Sequence, residues 1–191
     1  MSNPEDILGY WLDEVGTEGW FKGGEALDAE IRDRFEDDWN RVMCGTYAMW
    51  LTYPNGTLAY TILTDQFPRN MFRDTGKAFA SEGLARAASK VAIARGWDLK
   101  VEERSRLFFY YPLMHSECLA DQDRCVRLML TRMPTMGAGY LRHAKAHREV
   151  IRLFGRFPTR NEALERADTP PEAAFVQQGG YRKALEMVDA A

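Results

Sequence analysis

The chain has 191 residues, a length that suggests one domain with a sizeable hydrophobic core. Hydrophobic residues make up 46% and charged residues 28%, as in average soluble proteins. The 25 basic and 28 acidic residues nearly balance, which argues against nucleic-acid binding because that function usually requires a basic face. The basic residues are mostly Arg, 19 against 6 Lys, which fits either codon usage or Arg side chains that bind carboxylate or phosphate.

The N-terminus and the cysteines predict a cytoplasmic protein. Residues 1–10 lack a basic segment followed by an apolar one, so we expect no signal peptide. No apolar run is long enough to span a membrane, and we expect no membrane contact. The cysteines Cys44, Cys118 and Cys125 form no CxxC pair, so we expect no disulfide framework and no zinc knuckle. We also expect no cofactor.

Apolar residues recur at steps of three and four through most of the chain, a period typical of amphipathic helices. Strand patterns are almost absent. The sequence therefore predicts an all-α fold of about eight helices, joined by short loops and packed as antiparallel hairpins. In chain order, the predicted helices cover about 25–43, 58–67, 79–95, 102–114, 117–132 and 140–154, and a further helix starts at Thr169.

Proline residues and a glycine pair set the predicted boundaries. The second of these helices is expected to end at Phe67, because the residue before Pro68 disfavours helical geometry. Thr169 is predicted to be the N-cap of the last helix, with proline in the first turn. The tract around Gly179 and Gly180 reads as a linker, so we predict one domain at 1–177 and a short C-terminal tail at 178–191.

One short motif occurs twice, at residues 65–70 and 155–161, which we call the first and second elbow. In each elbow, Phe is expected to enter the core, Pro to stop a helix and Asn to hydrogen-bond within the turn. Arg then projects beside a helix C-terminus, where a cation is favoured. The elbows are either structural helix stops or they present arginines to a common cavity. The first elbow is Asp65-Gln66-Phe67-Pro68-Arg69-Asn70, with Arg73 nearby, and the second is Gly155-Arg156-Phe157-Pro158-Thr159-Arg160-Asn161.

Two of the three histidines lie on predicted inner helix faces. His147 falls in the middle of an apolar stripe, and His115 shares a face with Gln122. A buried imidazole needs partners for both ring nitrogens, so His147 is either a satisfied core residue or part of an interior polar pocket. Glu117 lies two residues after His115 and belongs to the same polar cluster. His143 and His147 have the spacing of a metal-binding pair but not the HExxH signature, so no metal is expected.

These motifs are similar to those of the bacterial family called domain of unknown function 924, over roughly residues 6–176. The two elbows are the longest and most specific part of the resemblance. The matching residues are Tyr10-Trp11, Trp20-Phe21, 63–70, Phe72-Arg73, Phe79, 112–117, Asp121-Gln122, His147-Arg148 and 154–161.

The resemblance implies tetratricopeptide-like helical hairpins packed as a superhelix, and no established activity. One departure concerns the turn after the second elbow. The family pattern has Leu-Gly-Arg there, and this chain has Leu164-Glu165-Arg166. Glu adopts a positive φ less easily than Gly, so this turn is expected to differ.

The sequence is compatible with two functions. The favoured one is an interaction protein that binds a peptide or protein partner in a concave helical groove. The alternative is a binding protein or enzyme whose interior pocket holds an anionic ligand, carboxylate or phosphate, through Arg side chains. The predicted ligand-binding residues are Asp65, Arg69, Asn70, Arg73, Gln122, Arg156, Arg160 and Asn161. The catalytic candidates, if the protein is an enzyme, are His115, Glu117 and His147.

Overall fold

The computed structural model describes residues 1–190, and for Phe21 it describes only the backbone. Over this range the chain is all-α and has no strand, which confirms the predicted fold class. The superhelical arrangement stays a prediction. The α-helices are α1 (Pro4–Leu8), α2 (Gly16–Lys22), α3 (Glu25–Met43), α4 (Pro54–Thr61), α5 (Phe67–Met71), α6 (Glu82–Ala94), α7 (Glu103–Met114), α8 (Leu119–Arg132), α9 (Gly137–Phe154), α10 (Pro170–Gln177) and α11 (Tyr181–Asp189).

The chain divides into two compact units, Met1–Pro112 and Leu113–Ala191. In the second unit, α11 packs against α9, and Ala184 of α11 is completely buried. Residues that the sequence assigns to a tail therefore form a helix of the second unit. The reason is the apolar face of α11, which supplies Tyr181, Leu185 and Val188 to a small core around Phe157.

The core of the first unit is an aromatic cluster around α3. The rings of Phe35 and Phe67 lie 4.8 Å apart, and Tyr10 and Trp11 pack against them. Phe108 of α7 extends the cluster by an edge contact with Trp11. Aromatic pairs in such tilted and edge geometries contribute about 0.5–1.5 kcal/mol each beyond their area burial. The Phe of the first elbow thus enters the core, as the sequence predicts.

Two segments of the first unit are π-helical, Gly9–Val15 and Ile62–Gln66. The second one corrects the boundary expected at Phe67. The helix does not end there, because the wider π turn passes directly into α5 and places Pro68 in the first turn of that helix. In a first turn the missing N–H of proline breaks no intrahelical bond. The chain therefore stays helical through the elbow to Met71.

Two large apolar side chains of α6 are exposed. Leu84 is 39% and Val91 47% exposed, because α6 packs on α4 through a different face, whose side chains are smaller. That buried face consists of Ala85, Ala88, Ser89, Ala92 and Ile93.

In the turn after the second elbow, one residue that is not glycine has a positive φ. Glu165 has φ 54°, in the left-handed region where a side chain is disfavoured. Glu165 thus adopts a conformation that Gly would adopt more easily, and a difference from the family's turn stays a prediction. The neighbouring hydrogen bond from the Arg166 N–H to the Asn161 carbonyl, at 2.8 Å, accompanies this conformation.

No helix within residues 1–190 combines the length and the apolar character that a membrane crossing requires.

The start of α10 follows the predicted pattern and provides a stability test. Thr169 and Glu172 form a capping box, and Pro170 opens the first turn. We expect Thr169→Ala to lower the free energy of unfolding by about 1 kcal/mol, because the helix loses its N-cap. Urea denaturation measures this change. The control Thr46→Ala, at an exposed position, should change it by less than about 0.5 kcal/mol. Equal effects of the two substitutions would contradict the capping role.

Candidate functional site

Asp28 in the first turn of α3 fastens the first elbow to that helix. The Arg73 guanidinium donates to both of its carboxylate oxygens, at 2.8 and 2.9 Å, and the Asn70 amide donates to one of them at 2.8 Å. Burial alone would raise the pKa of Asp28, but these hydrogen bonds outweigh it and lower the pKa below its ordinary value. Arg73 and Asn70 are thus held in place as positioning groups.

Arg69 lies between two carboxylates. It donates to Glu82 through Nη2, and the same nitrogen is 3.7 Å from Asp65, which is almost completely buried. Gln66 donates its amide N–H to Asp65. The Nε of Arg69 is buried and has no hydrogen-bond partner within the part of the chain that the structure describes. The guanidinium is therefore anchored through Nη2, whereas its Nε–H lacks an acceptor.

A cavity of about 500 Å³ opens beside these residues, and we call it the elbow cavity. Both π-helical segments contribute to its wall, the first through Trp11 and the second through Gln66. π turns are rare and occur frequently at functional sites. The lining residues are Trp11, Trp20, Lys22, Gly23, Gly24, Glu25, Asp28, Gln66, Arg69, Asn70 and Arg73.

The aromatic wall of the elbow cavity contains a second unsatisfied donor. Trp20 stacks on Trp11 and donates its indole N–H to the Trp11 carbonyl at 2.6 Å. The Trp11 indole N–H is buried, the residue being 2% exposed, and it has no partner in residues 1–190. Gly23, another lining residue, has φ 56°, and a Cβ there would lie 3.7 Å from the Arg73 guanidinium.

In the second unit, Glu117 holds the second elbow. It accepts two hydrogen bonds from the Arg166 guanidinium, at 2.8 and 3.0 Å, and one from the Phe157 backbone N–H at 2.8 Å. Burial favours the neutral acid, but these donors outweigh it, and the pKa of Glu117 is lowered. Arg156 forms a similar two-point pair with Glu172.

The remaining predicted residues of the second unit also have local partners. Gln122 donates to the carbonyls of Met114 and Ser116, and Arg160 donates to the His115 carbonyl at 2.9 Å. Asn161 donates to Asp168 and accepts from Arg166.

The histidine rings contact one another and aromatic neighbours in this unit. His115 and His147 have ring centroids 6.2 Å apart, and His147 Nδ1 donates to the His143 carbonyl at 2.9 Å. His143 Nδ1 hydrogen-bonds the Tyr181 hydroxyl at 2.5 Å. Among residues 1–190, His, Cys, Asp and Glu side chains form no group of three that could hold a metal ion. The catalytic candidates stay predictions.

The structure divides the predicted site residues between the two units. Asp65, Arg69, Asn70 and Arg73 lie in the first unit, and the other seven lie in the second. Within each unit the elbow arginines are bound by carboxylates or carbonyls. This is what we expect if the elbows are structural helix stops. The common cavity for both elbows stays a prediction.

Sequence reasoning missed the partners that come from far along the chain. Asp28 precedes Arg73 by 45 residues, and Arg166 follows Glu117 by 49 residues, so no local pattern links them. The family resemblance singles out Trp11 and Trp20, but nothing in their spacing indicates that they line a cavity. Glu25 and Lys22 read as ordinary surface charges.

The Glu117 contacts predict a pH-dependent stability. A carboxyl group whose pKa is lower in the folded chain contributes stability that is present above its unfolded pKa, about 4.3 for Glu, and is lost as the pH falls through the folded pKa. We expect Glu117→Gln to lower the free energy of unfolding by about 1–2 kcal/mol at pH 7. Urea denaturation between pH 3 and 7 should show that this difference shrinks on acidification.

The control for this measurement is Glu186→Gln, an exposed residue of α11, which should change the stability little at any pH. A difference between Glu117→Gln and the natural chain that is the same at pH 3 and pH 7 would contradict the role of the ionised carboxylate.

Comparisons with known proteins agree with the fold. A protein of unknown function from Agrobacterium tumefaciens, ATU0120, has a solved structure that is 39% identical in sequence and superimposes with a TM-score of 0.86. The alignment covers 92% of this chain and 97% of that one. None of the curated proteins matches. The model of a bacterial protein family of unknown function, DUF924, matches residues 7–180. The chain therefore belongs to the DUF924 family.

Proposed function

We propose that this protein binds a small anionic molecule, a carboxylate or a phosphate, in the elbow cavity of the first unit. The observation that carries the proposal is that two residues lining the cavity, Arg69 and Trp11, each have a buried N–H, Nε and Nε1 respectively, with no partner in residues 1–190. Buried N–H groups are almost always hydrogen-bonded in native proteins. An acceptor supplied by a ligand would satisfy both.

The energetics favour a charged acceptor. Leaving a buried donor unsatisfied costs about 1–3 kcal/mol, and a hydrogen bond from a charged donor to an anion is roughly twice as strong as a neutral one. Lys22, an exposed lining residue, adds a second cation, since among the described residues its ion pair is the exposed one with Glu18 at 3.7 Å. A cation at the mouth of a cavity attracts anions from solution.

The dimensions favour a small molecule over a polymer. Ligand pockets usually measure about 300–1,000 Å³ and combine an apolar wall with a few placed polar groups. The elbow cavity, at about 500 Å³, has the Trp11–Trp20 stack as its apolar wall and the elbow side chains as its polar groups.

A second candidate is the interaction protein favoured by the sequence. The observation that supports it is the exposed apolar stripe on α6, Leu84, Ala87, Val91 and Ala94. Its spacing of three, four and three residues is that of a face which packs against another helix.

A ligand screen tests the proposed function. Thermal unfolding is followed with acetate, succinate, benzoate and inorganic phosphate, each compared with chloride at equal ionic strength. A ligand present at 100 times its Kd should stabilise the fold by about 2.7 kcal/mol. We expect Arg69→Ala to abolish the shift, and Lys22→Gln, an exposed change that should leave the fold intact, to weaken binding about threefold.

Arg127→Ala, which removes an exposed arginine of the second unit, is the matched control and should retain the shift. If no anion of the series shifts the unfolding temperature, the anion-binding function is wrong and the α6 stripe becomes the better guide. A shift that survives both Arg69→Ala and Lys22→Gln would place the ligand outside the elbow cavity.

A further inference from the structure

The elbow cavity offers acceptors as well as donors, and this restricts the chemical class of its ligand. We propose that it binds a zwitterion of amino-acid size, with a carboxylate and an ammonium group on the same small molecule. The inference rests on the proposed function, because it concerns the same cavity, but it adds a positive group to the ligand.

The orientation of two side-chain amides in the wall follows from their partners. Gln66 donates its NH₂ group to Asp65, and Asn70 donates its NH₂ group to Asp28 at 2.8 Å. A carboxylate can only accept, so the NH₂ group of each amide must point toward it. The amide oxygens are therefore left as acceptors, and neither has a protein partner among residues 1–190.

A third acceptor stands at the mouth of the cavity. Glu25, the first residue of α3, lines the cavity, is exposed, and makes no ion pair or hydrogen bond through its carboxylate with the described residues. Two amide oxygens and a carboxylate are a suitable set for a primary ammonium group, which has three N–H donors and no acceptor.

The donors lie in the wall as a separate set. Arg69 Nε and Trp11 Nε1 are the unsatisfied pair, and each can donate one hydrogen bond to a carboxylate oxygen. The opposite charges of the ligand then match opposite groups of the wall. A ligand with two oxyanions matches this acceptor set less well, because an anion beside Glu25 and the two amide oxygens would meet groups that cannot donate.

Matched probes separate the two charges of the ligand. Each triple consists of an amino acid, the carboxylate without its amino group, and the amine without its carboxyl group. The triples are L-alanine, propionate and ethylamine; L-norleucine, hexanoate and pentylamine; and L-phenylalanine, 3-phenylpropionate and 2-phenylethylamine. Binding is measured by ¹H–¹⁵N NMR titration of the full-length chain, with the indole N–H signals of Trp11 and Trp20 as reporters of the cavity.

We expect at least one amino acid to bind at least fivefold more tightly than both partners of its triple. Glu25→Gln should weaken that amino acid about threefold, the size expected for one exposed charge pair, and should leave the corresponding carboxylate unchanged. Asp33→Asn removes an exposed acid from the same helix outside the cavity, and should change neither affinity.

The outcomes distinguish this inference from the proposed function. If a carboxylate binds as tightly as its amino acid, or if Glu25→Gln weakens both equally, the zwitterion is wrong and anion binding stands. If neither the amino acids nor the carboxylates move the Trp11 indole signal, both proposals fail.

Discussion

The buried carboxylate of Asp28 is the contact on which the geometry of the first unit depends. It is placed in the first turn of α3, and it reaches across 42 and 45 residues of sequence to Asn70 and Arg73. A buried charge of this kind is costly unless it is fully hydrogen-bonded, so the helix and the elbow are stable only together. The elbow cavity lies between these two elements. Its position is therefore a consequence of the same ion pair.

At both elbows an arginine is bound by a carboxylate from another helix, but the helix differs. In the first, an acid from a preceding helix binds Arg73, and in the second, an acid from a following helix, Glu172, binds Arg156. Glu117 adds a further link by binding both a backbone N–H and Arg166. Among the described residues, the first elbow has one buried donor without a partner, Arg69 Nε, and Arg69 lines the elbow cavity, which makes this elbow the better candidate for binding.

The sequence predicted the all-α class, several helices and the capping of α10, because these depend on periodicity and on neighbours three or four residues apart. It did not predict the continuation of the helix through Pro68. A π turn leaves no clear mark in the residue pattern, and the rule for proline assumes a regular α-helix. The exposed stripe of α6 shows a related limit, since Ala85 and Ala88 allow a closer approach to α4 than Leu84 would. Periodicity finds the faces of a helix, but packing decides which of them is buried.

The site could be predicted only in part, for the same physical reason. The arginines of the elbows stand out locally, whereas Asp28, the acidic partner of Arg73, lies 45 residues away in the chain. The possible role of Trp11 and Glu25 in binding follows only from the structure, in which both line the elbow cavity. A carboxylate that anchors an arginine and one that remains available look identical in a sequence.

The π-helical segment Gly9–Val15 has a consequence for insertions and deletions. A π turn is an α-helix with one extra residue, and each residue of an α-helix turns the chain by about 100°. Within this segment the consecutive residues Tyr10 and Trp11 are both buried, at 1% and 2% exposure. Loss of a single residue between Trp11 and Val15 would restore a regular helix and rotate one end against the other. The length of this segment, more than its composition, thus sets where the indole of Trp11 lies.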